Sequence, residues 1–172
     1  MDDIPKADVV EDVETYLKQQ NMSLEDAQKF VEDRYRKYKT VEANMNERTT
    51  RLVANLPDFN RALEYISVCR QAQEKGKTEV EMLCKVEENS YQRFRITDLQ
   101  NVVLVLGCNT FAEFSLDEAE KLLKENVSGI EKTLAKLRED LDFVRDQITT
   151  SEVAIAHFYN FGVRNKALKP AA

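Results

Sequence analysis

Stepping by seven from Leu24 reaches Val31, Tyr38, Met45, Leu52, Phe59 and Ile66, and every residue on the path is apolar. A seven-residue apolar repeat keeps one stripe of a helix turned toward a partner. This one runs past the three or four repeats that separate a coiled coil from coincidence. Ala27, Val41, Ala62 and Cys69 fill companion positions, while Arg34, Arg48 and Asn55 interrupt the seam. Ser23 is placed to cap the start, with Asp26 three residues on. The pattern predicts a helix over 23–75 that stops before Gly76, and about 50 residues at 1.5 Å each make a rod of about 75 Å. Pro57 removes a backbone donor and crowds the preceding turn, so a bend is expected near 53–57. The phase continues through it, which predicts one bent helix rather than two.

A second pattern is more regular. Alternating steps of four and three give Leu123, Val127, Ile130, Leu134, Leu137, Leu141, Val144, Ile148, Ser151, Ile155 and Phe158, of which only Ser151 is polar. Ser115 and Glu118 precede it in the S-x-x-E arrangement, where each side chain satisfies the other's orphan backbone donor. A helix over 115–161 follows. Two rods of similar length on one chain pack most simply as an antiparallel coiled coil. Positions whose numbers add to about 190 then lie opposite each other, which sets Leu123 against Ile66 and Phe161 against Phe30.

The joining segment, 76–114, has a different texture. Val102, Val103, Leu104, Val105 and Leu106 form a continuous run that ends in Gly107-Cys108-Asn109, followed by Phe111 and Phe114. Strand, tight turn and strand are predicted. The stretches 80–86 and 91–96, around Glu88-Asn89-Ser90, predict a second, weaker hairpin. Isolated hairpins are marginal in water, and a strand apolar on both faces needs cover on both. A two-helix coiled coil offers little surface for that. The strands are therefore expected to pair with other subunits, the alternative being a small sheet packed on its own helix ends.

Composition narrows the function. Four glycines and three prolines leave little material for turns, which favours a few long helices. The net charge of −6 argues against nucleic acid as a main partner, because phosphate binding needs a basic surface. The first 19 residues carry six acids against two lysines, while Arg164, Lys166 and Lys169 make the last stretch basic. Both ends are expected to be solvated and frayed, or else to steer partners electrostatically. Cys69, Cys84 and Cys108 lie far apart with no CxxC pair, which predicts neither a disulfide framework nor a zinc site, and a reducing compartment. The N-terminus lacks the basic and apolar regions of a signal peptide, and no apolar run is long enough to span a membrane, so cytoplasm is expected.

Catalytic motifs find little footing. Gly76-Lys77-Thr78 resembles the end of a phosphate loop, but Gln71 stands where its first glycine belongs. His157 is the only histidine and is expected to be a surface side chain without metal or catalytic partners. Asn21 and Asn126 match the glycosylation pattern, which stays silent in the cytoplasm. No catalytic residue, cofactor or metal is expected. Phe158, Tyr159 and Phe161, by contrast, spread over about 160° of helix, wider than a two-helix seam covers. With Leu24 and Phe30 of the other helix they form a candidate client-binding tip, unless they simply cap the seam.

The order long helix, hairpin insert, long helix resembles the α class of prefoldin subunits and, within it, the eukaryotic subunit-3 group. Ile4-Pro5, 10–13, Lys37-Tyr38-Lys39, 104–107 and 117–119 carry the likeness, as does, most specifically, the block from Asp140 through Thr150, Glu152-Val153 and Tyr159-Asn160. It covers nearly the whole chain, although the lysine-rich tail of such proteins is short here.

The resemblance implies a mainly α fold with a long antiparallel two-helix coiled coil and one or two inserted β-hairpins. It implies a heterohexamer of two α-class and four β-class subunits that captures unfolded actin and tubulin without ATP and passes them to the cytosolic chaperonin. It further implies binding to the von Hippel-Lindau protein. In those terms Val102–Leu106, Phe111 and Phe114 are assembly strands, while Leu24, Phe30, Phe158, Tyr159 and Phe161 touch clients. The expected organisation is an acidic extension over 1–22, helices over 23–75 and 115–161, the assembly segment 76–114 and a basic tail over 162–172. A structural coiled-coil tether or spacer is the rival.

Overall fold

A computed structural model describes residues 4–167. In chain order the elements are α1 (Val13–Gln20), α2 (Leu24–Glu74), β1 (Val80–Glu87), β2 (Ser90–Ile96), β3 (Asn101–Gly107), β4 (Thr110–Ser115) and α3 (Leu116–Ala167). The fold is mainly helical, with two small antiparallel hairpins between two long helices. The chain divides into two compact units, a terminal unit of Met1–Arg51 with Leu134–Ala172 and a hairpin unit of Leu52–Thr133.

Both long helices begin as their sequences dictate. Ser23 Oγ accepts from the Asp26 amide at 3.2 Å while its hydroxyl donates to the Asp26 carboxylate at 2.7 Å. At α3 the Glu118 amide donates to Ser115 Oγ at 3.4 Å, and the Ser115 amide returns a bond to Glu118 Oε2 at 3.2 Å, a reciprocal capping box. These bonds hold the Glu118 carboxyl below its ordinary range, the Ser115 hydroxyl contributing most. Pro57 stands inside α2, which remains one helix.

The seams are buried as the periodicity requires. Val31, Tyr38 and Ile66 of α2 are buried and the other seam positions half-buried. Along α3 none of the seam residues from Leu123 to Phe158 is exposed. The buried polar exception, Ser151, donates to the Gln147 carbonyl at 2.8 Å and so carries its own partner into the core. Within the terminal unit Tyr35 donates to Glu152 at 3.1 Å and Arg145 reaches Glu42 at 3.4 Å. Seven residues forward on α2 match seven back on α3, so the helices run antiparallel there. In the hairpin unit Ile66 and Leu123 share one core, as the counting from the ends predicted.

Three expectations need correction. The N-terminal stretch is not frayed: Val10, Val13 and Tyr16 are buried in a core with Ala27, Val31, Ala154 and Phe158. Asp12 caps α1, accepting from the Thr15 amide at 2.9 Å, and Asn21 ends it in the left-handed region at φ 50°. At the other end α3 runs to Ala167 instead of stopping near Phe161, which places Arg164 on the helix. A single Gly costs a helix only about 1 kcal/mol, and a Cβ at Gly162 would already touch Leu24 Cδ2 at 3.5 Å. Lys169 and the final residues of the expected basic tail lie outside the described residues, as do Met1, Asp2 and Asp3. His157, finally, is half-buried rather than a surface side chain.

Candidate functional site

The hairpin unit carries the first candidate surface. The turn at Cys108 and Asn109 has φ 50° and 57°, both left-handed, as a two-residue hairpin turn requires. It pairs Val102 with Phe114, Leu104 with Ala112 and Val105 with Phe111. Side chains alternate along a strand, and here the two faces meet different fates. Val102, Leu104 and Phe114 pack on Ile66, Cys69, Ala72, Leu116 and Leu123. Val103 is 63% and Val105 67% exposed, with Leu106 and Phe111 similarly open. The expectation that the helices could not cover these strands is therefore half overturned. The ends of α2 and α3 shield one face and leave the other bare. Leu83, Val86 and Tyr91 of the β1–β2 hairpin are also exposed. Each sheet has only two strands, so every outer edge presents unpaired backbone groups. A groove of about 740 Å³ runs between β3 and the helices, with Phe59, Leu104, Leu106, Leu122 and Asn126 among its walls.

In the terminal unit the five expected tip residues divide sharply. Phe158 is 0% exposed, contrary to its assignment to an open tip. Tyr16 lies against it edge-to-face, ring centres 5.6 Å apart at 63°, a favoured aromatic geometry. Leu24 and Phe161 are half-buried against the same core. Phe30 and Tyr159 remain open, at 43% and 65%. The Arg34 guanidinium sits 5.5 Å from the Phe30 ring centre, within cation–π range.

What closes Phe158 is the strap formed by residues 4–20, and polar bonds fix it. The Ala7 amide donates to Gln147 Oε1 at 2.8 Å, and Tyr38 donates to the Pro5 carbonyl at 2.7 Å. His157 Nδ1 lies 2.7 Å from the Val10 carbonyl, which only accepts, so this nitrogen carries the proton. Asp8 accepts from Tyr16 at 3.1 Å and from Arg34 at 3.0 Å, and Arg34 also bonds the Lys6 carbonyl. Burial, with Asp8 adding to it, pushes the Tyr16 phenol above its usual range. The signal for this strap was present in the spacing Val10, Val13, Tyr16 and in the Asp12–Thr15 cap, but the acidic composition masked it.

A sequence-family model described as Prefoldin subunit matches residues 38–161. The chain belongs to the prefoldin family. Prefoldin subunit 3 of Mus musculus is 35% identical over 164 residues, covering 95% of this chain and 83% of that protein. Prefoldin subunit 3 of Homo sapiens matches to the same extent. Probable prefoldin subunit 3 of Caenorhabditis elegans is 32% identical over 165 residues, covering 95% of this chain and 88% of its own. A chain of filamentous PFD from Methanocaldococcus jannaschii, solved by cryo-EM, superposes with a TM-score of 0.51 at 20% identity. It covers 70% of this chain and 94% of that one, a likeness of fold. The α-class resemblance read from residues 140–160 agrees with these relatives, and the chain is a chaperone subunit of the prefoldin type.

Among the described residues no helix is long and apolar enough to cross a membrane, and no three His, Cys, Asp or Glu side chains gather as metal ligands.

Proposed function

We propose that this prefoldin subunit is an α-class member of a cytoplasmic heterohexamer of two α-class and four β-class subunits. The hexamer captures unfolded actin and tubulin without ATP and delivers them to the cytosolic chaperonin. The observation that carries the proposal is the bare face of β3 and β4. Val103, Val105 and Phe111 stand exposed on a hairpin whose opposite face is already packed, and Leu106 is open beside the turn. Four such side chains, covered by neighbouring subunits, contribute about 6–12 kcal/mol toward assembly. Capture falls to the open apolar residues of the terminal unit, Phe30 and Tyr159 above all, flanked by the half-buried Leu24 and Phe161. Each contact is weak, and several copies held in one complex add through multivalency, so release needs no chemistry. Contact with the von Hippel-Lindau protein belongs to the same proposal, on the family resemblance alone.

Native mass spectrometry of the tagged chain purified from its own cells tests the assembly. A six-subunit complex that suppresses aggregation of unfolded actin is the expected result. A monodisperse monomer, or a complex indifferent to unfolded actin, defeats it. The burial of Phe158 favours a second reading, a coiled-coil tether with closed ends. Replacing Phe30 and Tyr159 by serine separates the two: assembly survives in either case, and capture is lost only if the subunit is a holdase.

A further inference from the structure

The apolar trough formed by Ala27, Val31, Ala154 and Phe158 is filled by the chain's own N-terminal segment. We infer that this strap is a displaceable internal occupant, and that an apolar segment of an unfolded client takes its place against Phe158. The inference rests on the proposed holdase function and adds to it a regulated site that the exposed residues alone do not supply.

The construction of the strap supports displacement. It fills the trough with Val10, Val13 and Tyr16, Leu17 half-buried beside them, spaced as an amphipathic segment of any unfolded protein could space them. Its one helix, α1, has 8 residues, too few to persist alone in water. The left-handed residue Asn21 and the pair Met22-Ser23 join it to α2, a short connection about which it can swing. Its polar ties to the long helices are few, from Ala7 to Gln147, Pro5 to Tyr38, Val10 to His157, and Lys6 and Asp8 to Arg34. The main ion pair, Asp8 with Arg34, is partly exposed and open to solvent screening. Ordering residues 4–20 costs backbone entropy that the buried Val10, Val13 and Tyr16 and the part-buried Ile4, Ala7 and Leu17 offset by a small margin. A client offering a larger apolar segment can shift that balance. The strap therefore lowers apparent client affinity by the fraction of time it is seated.

The test uses the assembled complex containing the full chain, with guanidine-unfolded actin as probe and light scattering as readout. Ala7→Cys with Gln147→Cys, oxidised to a disulfide verified by peptide mapping, locks the strap. Asp8→Ala with Val13→Ser loosens it. Locking is expected to reduce capture several-fold, reversibly on reduction. Loosening is expected to raise capture several-fold and to speed amide exchange over 148–160. Undiminished capture by the locked complex overturns the inference, as does lost capture by the loosened one with circular dichroism unchanged. The serine variants of Phe30 and Tyr159 keep the two ideas apart. If they lose capture while locking has no effect, only the strap inference fails. If they capture fully with the strap locked, the holdase role of this end fails.

Discussion

Arg34, which interrupts the apolar seam of α2, places its Nη1 3.0 Å from Oδ2 of Asp8, twenty-six residues earlier. A charge at a seam position is costly unless something pairs it, and the N-terminal strap brings the counter-ion. Tyr38 and the Lys6 carbonyl complete the shell around the guanidinium. Asp8→Ala leaves Arg34 with fewer partners in a half-buried position. The pair is partly solvated, so the expected loss is about 1 kcal/mol, read as a lower denaturation midpoint. Arg34→Leu restores an apolar seam and should recover most of the deficit in the double variant. A double variant less stable than Asp8→Ala alone would show that the pair does not matter in this way.

Phe158 and Tyr159 are neighbours in sequence with opposite environments, which gives them opposite expected phenotypes. Phe158→Ala empties a site at the centre of a packed core and should cost about 3–5 kcal/mol. It should also speed amide exchange in α1, whose Tyr16 rests on that ring. Tyr159→Ser touches an exposed ring and should change stability by no more than about 0.5 kcal/mol. Equal destabilisation by the two substitutions would contradict the burial pattern.

The capping box at α3 makes a pH prediction. The Glu118 carboxyl is held below its ordinary value of 4.5, chiefly by Ser115. A depressed carboxyl contributes stability above its unfolded pKa and loses it as pH falls through the lower folded one. Wild type should therefore exceed Glu118→Gln at neutral pH, and the two denaturation midpoints should converge below about pH 4.5. Other titrating acids are common to both proteins and cancel in the difference. Ser115→Ala, which removes the cap itself, should cost about 1 kcal/mol. A gap between wild type and Glu118→Gln that stays constant down to pH 3 would refute the assignment.

The two seams could be read from the sequence because a heptad stripe has one face to bury, and Leu24 through Ile66 and Leu123 through Phe158 leave no ambiguity about which. The β3–β4 hairpin was legible for a similar reason, since Gly107, Cys108 and Asn109 supply the turn that a run of valines and leucines lacks. The strap was hidden because four acids are interleaved with its apolar residues, and net charge does not say which side chains turn inward. Phe158 was misplaced for a related cause. Counting the arc covered by two helices cannot anticipate a third element, Tyr16 of α1, lying on top of them. The extent of α3 was underestimated because the apolar pattern ends at Phe161, whereas a single Gly162 costs a helix too little to stop it.

Alternation along β3 yields the prediction closest to assembly. Val102 faces a core with Ile66, Cys69 and Leu116, and Val103 faces solvent. Val102→Ser removes apolar contact and buries a hydroxyl, costing about 2 kcal/mol or more and loosening the hairpin unit of the isolated chain. Val103→Lys and Val105→Lys should leave the isolated chain as stable as wild type, because lysine at an exposed strand position is well solvated. The same lysines would be trapped without counter-ions if another subunit covered that face. The double lysine variant is therefore expected to fold, by circular dichroism and thermal midpoint, yet to be absent from complexes purified through a tagged partner subunit. Alternation makes the contrast sharp, since adjacent valines of identical chemistry differ only in which side of the strand they occupy. Normal incorporation of the lysine variant would mean that the bare face is not an interface, and that the strand edges or the groove beside Phe59 hold the neighbours instead.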